Sequence, residues 1–183
     1  MKPQTIEENS FAIIDREAGN HGLPVDQWAV VRRMIHTSAD FDYIRTVRFH
    51  PEAIGAGIKA IRGGKTIVTD TQMARAGIRQ GDVQAFGCRL ECLISEPTVV
   101  HAAKALGTTR ALAAVDAAIP LMSGGITVVG NAPTALLRLI DLVKRKDIRP
   151  ALIIGLPVGF VNAAESKEAL LSLDCPYITN VGR

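Results

Sequence analysis

Two apolar runs, each followed by a turn containing glycine and proline and then by a helix start, constrain the fold of this chain most strongly. They occupy residues 125–136 (GITVVGNAPTAL) and 151–167 (ALIIGLPVGFVNAAESK). Short runs of Val and Ile with almost no polar alternation are typical of strands buried on both faces, which belong to parallel sheets covered by helices. Such sheets bind ligands beyond the carboxyl ends of their strands. The two turns are therefore predicted to lie beside a ligand.

The amino-terminal third of the chain is predicted to be helical. Residues 5–8 (TIEE) match a capping box, and apolar residues at helical spacing follow until Gly19. A second helix is predicted over residues 26–38, entered through Pro24, and a third over residues 51–61.

The remainder alternates between strand and helix patterns. Together with the two opening runs, this alternation predicts a doubly wound, mainly parallel five-stranded sheet with helices on both faces. At 183 residues and 48% hydrophobic content, one α/β domain over residues 1–183 is expected. The other predicted strands are residues 65–69, 88–95 and 177–181; the predicted helices are residues 71–76, a helix from Pro97, 108–121, 133–146 and 163–171; and a polar turn is predicted at 80–82.

Composition and charge exclude several classes of protein. The formal net charge of +3 is spread along the chain and only 4% of residues are aromatic, which disfavours nucleic acid as a partner and leaves an acidic small molecule open. Residues 1–10 are polar and acidic, unlike a signal peptide. The longest uncharged run, residues 150–164, falls short of the roughly 20 residues that a membrane span requires. A soluble, cytoplasmic protein with no membrane partner is expected.

Metal and nucleotide motifs are also tested against the sequence. Cys88 and Cys92 are spaced C-x3-C, a poor zinc pattern, so buried structural thiols and no metal site are predicted. Gly64-Lys65-Thr66 resembles the end of a P-loop, but Lys59 stands where that motif needs glycine. Neither opening turn matches the dinucleotide fingerprint, and no nicotinamide cofactor is predicted.

The turn before Pro133 offers backbone donors. Proline fits the first position of a helix, which leaves the amides of Thr134 and Ala135 and the side chain of Asn131 to face an anion. An equally open alternative is that Asn131 and Thr134 only cap the helix.

His36 is the histidine with the most suggestive setting. It follows Arg33 by three residues on one predicted helix, so the two side chains are neighbours. Histidine exchanges a proton readily near neutral pH and serves as an acid or a base. From the residues alone, a structural histidine remains the alternative.

Six motifs in order carry a resemblance to a known family. They are SFAII at 10–14, RMIH at 33–36, TRA at 109–111, GNAPTAL at 130–136, PVGFV at 157–161 and ESK at 165–167. With them the chain resembles the precorrin-8X methylmutase family, isomerases of cobalamin biosynthesis. Family members continue past the position of Gly182-Arg183 with a further turn and helix, so a carboxyl-terminal segment is expected to be missing here.

The resemblance implies an activity and roles for individual residues. A methyl group is expected to move from C-11 to C-12 of precorrin-8X or its cobalt-bearing form, giving hydrogenobyrinate or cobyrinate, with no redox cofactor or methyl donor. His36 is expected to be catalytic, and Ser10 and Arg33 to bind the tetrapyrrole. A homodimer is also implied. The alternative is a corrinoid-binding or carrier protein without turnover.

The chemistry of that substrate fits the residues. A broad apolar disc fringed with carboxylates needs an apolar floor and cationic or amide donors. Arg33 and Arg110 are expected to pair with carboxylates. Ser10 is expected to donate a hydrogen bond, unless it bonds to its own preceding turn. Glu165 and Lys167 are interpreted as an exposed pair outside the site.

Overall fold

The structure, a computed structural model, describes residues 3–183 and divides into two compact units. The first unit ends at Val47 and the second runs from Arg48 to Arg183. The prediction of one domain over the whole chain stays a prediction.

The first unit is helical, as predicted. Its helices are α1 (Pro3–Ala18), α2 (Val25–Ser38) and α3 (Tyr43–Thr46). Helix α1 begins before Thr5, so the predicted capping box is wrong, whereas the predicted stop at Gly19, which has φ 57°, is confirmed. Helix α2 follows Pro24, as predicted, and buries Val31 and Ile35.

The second unit is organised around a six-stranded sheet in the order β1-β6-β5-β4-β2-β3. The registered pairs β2–β3, β2–β4, β4–β5 and β5–β6 are all parallel. The strands are β1 (Val47–Phe49), β2 (Ile67–Thr69), β3 (Leu90–Glu91), β4 (Ile126–Val129), β5 (Leu152–Gly155) and β6 (Tyr177–Asn180).

Helices connect these strands and cover them. They are α4 (Ala53–Arg62), α5 (Gln72–Gly77), α6 (Gln80–Ala85), α7 (Pro97–Ala105), α8 (Arg110–Met122), α9 (Pro133–Lys144) and α10 (Ala163–Leu171). Helix α9 contacts both α8 and α10, and its side chains Leu136 and Leu139 are fully buried in the core. At Gly155 a Cβ atom would lie 2.6 Å from the Leu170 side chain, so β5 needs glycine where α10 approaches.

The strand order locates the crevice in which such sheets bind ligands. From β2 the chain moves outward to the edge strand β3, whereas from β4 it moves the opposite way to β5 and β6. The direction therefore reverses between the adjacent strands β2 and β4. Ligands of open α/β sheets bind beyond the carboxyl ends of the strands at this reversal.

The predicted α/β class with a parallel sheet is confirmed, with two differences in the count of elements. Strand β1 adds a sixth strand, because a three-residue segment is too short to show a period in the sequence. The predicted polar turn at 80–82 is wrong: these residues begin α6, which buries Val83 and so overrides a weak local propensity. The strand predicted over 88–95 shortens to Leu90–Glu91.

The thiols of Cys88 and Cys92 are buried, as predicted, and Cys175 is half-buried. Burial raises the pKa of the Cys88 thiol. Among the described residues no three His, Cys, Asp or Glu side chains form a cluster able to hold a metal ion. No helix in the described part of the chain is long and apolar enough to cross a bilayer.

Candidate active site

His36 lies in the last turn of α2, and its imidazole is half-exposed. The centre of its ring is 5.2 Å from that of Phe11 on α1, with the two ring planes tilted by 60°. Among the described side chains, those of residues 5–183, none forms a hydrogen bond with either ring nitrogen of His36. The imidazole is therefore held by a ring contact and keeps both nitrogens available for proton exchange.

Arg33 lies one turn before His36 and contacts the same ring. Its guanidinium carbon is 4.7 Å from the Phe11 centroid, and its Nη1 pairs with Glu7 Oε1 at 2.5 Å. Arg32 also lies over Phe11, at 4.4 Å, and pairs with Asp15 at 2.8 Å. The predicted proximity of Arg33 and His36 is thus realised through their shared contact with Phe11.

Ser10 and His36 line the same open cleft in the first unit, which has a volume of about 280 Å³. The Ser10 hydroxyl donates to the carbonyl oxygen of Ile6 at 2.8 Å. This bond to the preceding helical turn is the alternative to substrate binding that the sequence left open. Its oxygen keeps acceptor capacity toward the cleft. The remaining lining residues are mostly apolar: Ile13, Ile14, Glu17, Ile35, Ala39 and Phe41.

In the second unit, Asp70 lies at the reversal between β2 and β4, where successive strands begin to be added in the opposite direction. It follows β2 directly and is buried. Its Oδ1 accepts from the amide of Gly130, and its Oδ2 accepts from those of Asn131 and Ala132, each at 2.9 Å. The amides after β4 are therefore satisfied by the protein's own carboxylate. Sequence reasoning missed Asp70, although an aspartate directly after a buried strand was the available signal.

The helix start after this loop differs in part from the prediction. Pro133 takes the first helical position, as predicted, but the amide of Ala135 donates to the carbonyl oxygen of Ala132 at 3.0 Å and is not free for an anion. The helix is capped at Ala132 without a side-chain hydrogen bond, so capping by Asn131 or Thr134 is not realised either. The Asn131 side chain is exposed at this edge.

Arg110 and Thr134 are brought together through Thr109. The hydroxyl oxygens of Thr109 and Thr134 are 3.2 Å apart, and Thr109 also accepts from the amide of Leu112 as the cap of α8. Arg110 is the first residue of that helix and is exposed. No ion pair within residues 3–183 involves Arg110, so its guanidinium is available to an anion.

Hydrogen bonds link the loop after β5 to the loop after β4. The amide of Leu156 donates to the carbonyl oxygen of Val129 at 2.8 Å, and that of Val158 to the carbonyl oxygen of Asn131 at 3.4 Å. The same loop exposes three apolar side chains, Val158, Phe160 and Val161, by 58%, 87% and 76%. The carboxyl edge of the sheet thus combines polar groups with exposed apolar surface.

The Lys167 side chain is buried, so the prediction that it is exposed is wrong. It is 2% exposed on α10, and its Nζ donates to Asn180 Oδ1 at 3.1 Å. Burial lowers the pKa of this ammonium. The signal was present in the sequence, since residues 163, 166, 167 and 170 share one buried helical stripe. Glu165 is exposed, as expected.

Each unit therefore supplies different chemistry. The first carries an imidazole with unpaired nitrogens, a guanidinium beside it and a partly apolar cleft. The second carries, at the carboxyl ends of its strands, an available guanidinium, amide and hydroxyl groups and exposed apolar side chains. The groups of the first unit suit an acid or base step, and those of the second suit the binding of a partly apolar anion.

Comparisons with known proteins agree with this chemistry. The precorrin-8X methylmutase family model matches residues 5–183. The chain is 50% identical to a cobalt-precorrin-8 methylmutase of Priestia megaterium, over 100% of this chain and 81% of the relative. It is 45% identical to one of Leptospira interrogans, over 98% and 86%. The solved structure of a precorrin-8X methylmutase from Thermus thermophilus superposes with a TM-score of 0.92 at 47% identity, over 98% of this chain and 87% of that one.

The α/β fold and these relatives define an isomerase. The chain belongs to the precorrin-8X methylmutase family. It acts in cobalamin biosynthesis, where this family moves a methyl group within a corrin precursor.

Proposed function

We propose that the protein acts in the cytoplasm on the cobalt-bearing substrate, cobalt-precorrin-8, and that His36 is its acid or base. The single observation that carries the catalytic role is the half-exposed imidazole, which lines a cleft and has no hydrogen-bond partner in the described chain. The choice of the cobalt form is supported by the names of five curated relatives that are 40% to 50% identical to this chain, each called a cobalt-precorrin-8 methylmutase. The 47% identical protein from Thermus thermophilus carries the name of the metal-free form, precorrin-8X methylmutase.

The reaction is an internal rearrangement. The bond from C-11 to the methyl carbon breaks and the bond from C-12 to the same carbon forms, so the product has the composition of the substrate. The methyl carbon stays within one molecule, and the reaction as written consumes no methyl donor. Cobalt, where present, sits in the macrocycle's own nitrogens as part of the substrate.

A proton from His36 makes this migration easier. Protonation of a ring nitrogen or a conjugated carbon draws electron density from the migration centre and lowers the barrier. The proton returns to the imidazole when the product forms, so the enzyme ends each turnover unchanged. General acid catalysis of this kind contributes about 100- to 10,000-fold in rate.

The other site residues bind the carboxylates around the macrocycle. Arg33 and Arg110 supply guanidinium groups, which match a carboxylate in a planar, two-point geometry. Asn131 and Thr134 supply an amide and a hydroxyl group. Ser10 supplies a hydroxyl group beside His36, which binds a carboxylate once it turns away from the Ile6 carbonyl oxygen. Exposed apolar side chains such as Phe160 suit the faces of the disc.

Incubation with excess substrate tests the proposal. Cobalt-precorrin-8 and its metal-free form are assayed side by side, and the visible spectrum is followed. An isomerase converts many equivalents to the product spectrum, and we expect the cobalt form to be converted with the higher kcat/KM. A carrier protein would perturb the spectrum only up to one equivalent and would contradict the proposal.

We also propose that the protein assembles as a homodimer, as the family resemblance implies. Light scattering at micromolar concentration is expected to give twice the 19.6 kDa mass of the chain. A mass of one chain at that concentration would contradict the dimer and leave the proposed chemistry of His36 unaffected.

A further inference from the structure

Lys167 is a buried cation without a counter-charge in the described chain. It is 2% exposed, and lysine is almost never fully buried unless it is paired. Its partner, Asn180, is neutral, and no ion pair among residues 3–183 involves Lys167. An ammonium group held away from water in this way is destabilising unless other groups compensate for the lost hydration, so its presence here calls for a physical reason.

The ammonium group fixes the orientation of the Asn180 side chain. A protonated lysine only donates hydrogen bonds, so the carbonyl oxygen of the Asn180 amide must face Nζ. The Nδ2 group then points the other way, where it makes one long contact of 3.4 Å with the carbonyl oxygen of Val181. Because Nδ2 carries two hydrogens, at least one is left for another acceptor.

Asn180 lies at the carboxyl edge of the sheet, the edge beyond which ligands bind, two strands away from β4. It is the last residue of β6 and is half-exposed at the carboxyl edge. The neighbouring β5 is tied to the end of β6 by the Thr179 hydroxyl, which donates to the carbonyl oxygen of Gly155 at 2.6 Å. The Asn180 amide is therefore a polar group of fixed orientation on a rigid support.

We propose that Asn180 binds a carboxylate of the substrate through Nδ2, and that Lys167 is the positioning residue that orients this amide. The inference rests on the proposed function, whose substrate is fringed with carboxylates. The ammonium also polarises the amide through its oxygen, which strengthens the N–H groups as donors. Lys167 itself is too deeply buried to touch the substrate.

Asn180→Asp tests the binding role. The new carboxylate has the same shape, accepts from Lys167 and completes an ion pair, so the midpoint of urea unfolding is expected to stay the same or rise. It removes the N–H donor and sets a negative charge against the substrate carboxylate. The dissociation constant for cobyrinate, titrated by visible absorption, is therefore expected to rise at least about tenfold, with KM raised more than kcat is lowered.

Lys167→Met tests the positioning role. Methionine fills a similar volume without a charge, so stability is expected to be retained or raised. The Asn180 amide then loses its fixed orientation, and cobyrinate is expected to bind about three- to tenfold more weakly. Asn20→Asp, which adds the same charge on an exposed turn, is the matched control and is expected to bind as the wild type does.

The outcomes separate this inference from the proposed function. Weakened binding with retained stability supports the inference. Wild-type affinity in folded Asn180→Asp overturns it, and so does affinity that falls only in step with stability. Should Asn180→Asp fail to fold, the double variant Lys167→Met/Asn180→Leu, which replaces both partners with apolar groups, gives the same test. If the wild type itself neither converts cobalt-precorrin-8 nor binds cobyrinate, the proposed function fails first.

Discussion

Phe11 is the residue around which the charged side chains of the first unit are arranged. Two guanidinium groups lie within 4.7 Å of its ring centre, and the imidazole of His36 contacts the ring at 5.2 Å. Cation–π contacts contribute about 0.5–2 kcal/mol each, depending on solvent exposure. The ring therefore helps to hold Arg33 and His36 in place without using the nitrogens that the proposed chemistry requires.

Replacing Arg33 with glutamine is expected to weaken substrate binding while leaving the fold almost intact. The Glu7 pair is exposed, so its loss changes the free energy of unfolding by less than about 1 kcal/mol. Loss of a guanidinium–carboxylate contact raises the dissociation constant for cobyrinate about tenfold or more. Arg16→Gln on the exposed side of α1 is the control, and equal affinity in the two variants would remove Arg33 from the site.

At the residue scale, the sequence predicts neighbours along one helix but not partners from another. Arg33 and His36 are three residues apart, which places them together whatever else the chain does. The Phe11 contact depends on how α1 packs against α2, and no local pattern encodes it. Lys167 is a different case: its position on a buried helical stripe indicates burial, whereas its charge indicates exposure, and the sequence alone does not show which prevails.

At the scale of elements, Asp70 ties the end of β2 to the start of α9. Replacing it with alanine leaves three amides without their acceptor, each in a loop between buried elements. The bond to Ala132 is buried and the other two are partly buried. An unsatisfied buried amide costs about 1–3 kcal/mol and a partly buried one less, so Asp70→Ala is expected to lower the free energy of unfolding by about 3–5 kcal/mol in total. Urea unfolding measures this loss.

The exposed Asp147 supplies the control for that variant. Asp147→Ala is expected to stay within about 0.5 kcal/mol of the wild type. A loss below about 1 kcal/mol in Asp70→Ala would mean that water satisfies the loop amides and that the Asp70 carboxylate is not needed for stability.

The elements that the sequence predicts well are those with strong internal patterns. Helix α10 (Ala163–Leu171) matches its prediction, and β4 and β5 lie within the apolar runs at residues 125–136 and 151–167. The missed elements are short and depend on neighbours. Strand β1 pairs only at the edge of the sheet, and α6 exists because Val83 reaches the core.

At the scale of the whole molecule, the half-buried thiol of Cys175 makes the free energy of unfolding depend on pH in the alkaline range. Burial and the nearby Asp174 carboxylate raise the pKa of Cys175 from 9.0 to about 11. Between these values the unfolded chain releases the thiol proton and the folded chain keeps it, so the free energy of unfolding falls as pH rises. Allowing for partial exposure, the fall amounts to about 1–2 kcal/mol.

Cys175→Ala isolates this contribution. Urea unfolding at about pH 8 and about pH 10.5 is expected to show a smaller loss of stability in the variant than in the wild type. The comparison also removes the effect of groups that act in the opposite direction, because both proteins contain them. One is Lys167, whose lowered pKa makes stability rise as the pH approaches 10.5, the ordinary lysine value. An equal loss in both proteins would rule out the thiol as the source.

The most direct test of the account is the turnover of His36→Ala, because every proposed role in catalysis depends on proton exchange by that imidazole. With cobalt-precorrin-8 in excess, kcat is expected to fall by about 100-fold or more. The dissociation constant for cobyrinate is expected to stay within about tenfold of the wild-type value, equivalent to 1.4 kcal/mol. Conversion by His36→Ala at the wild-type rate would contradict the central claim.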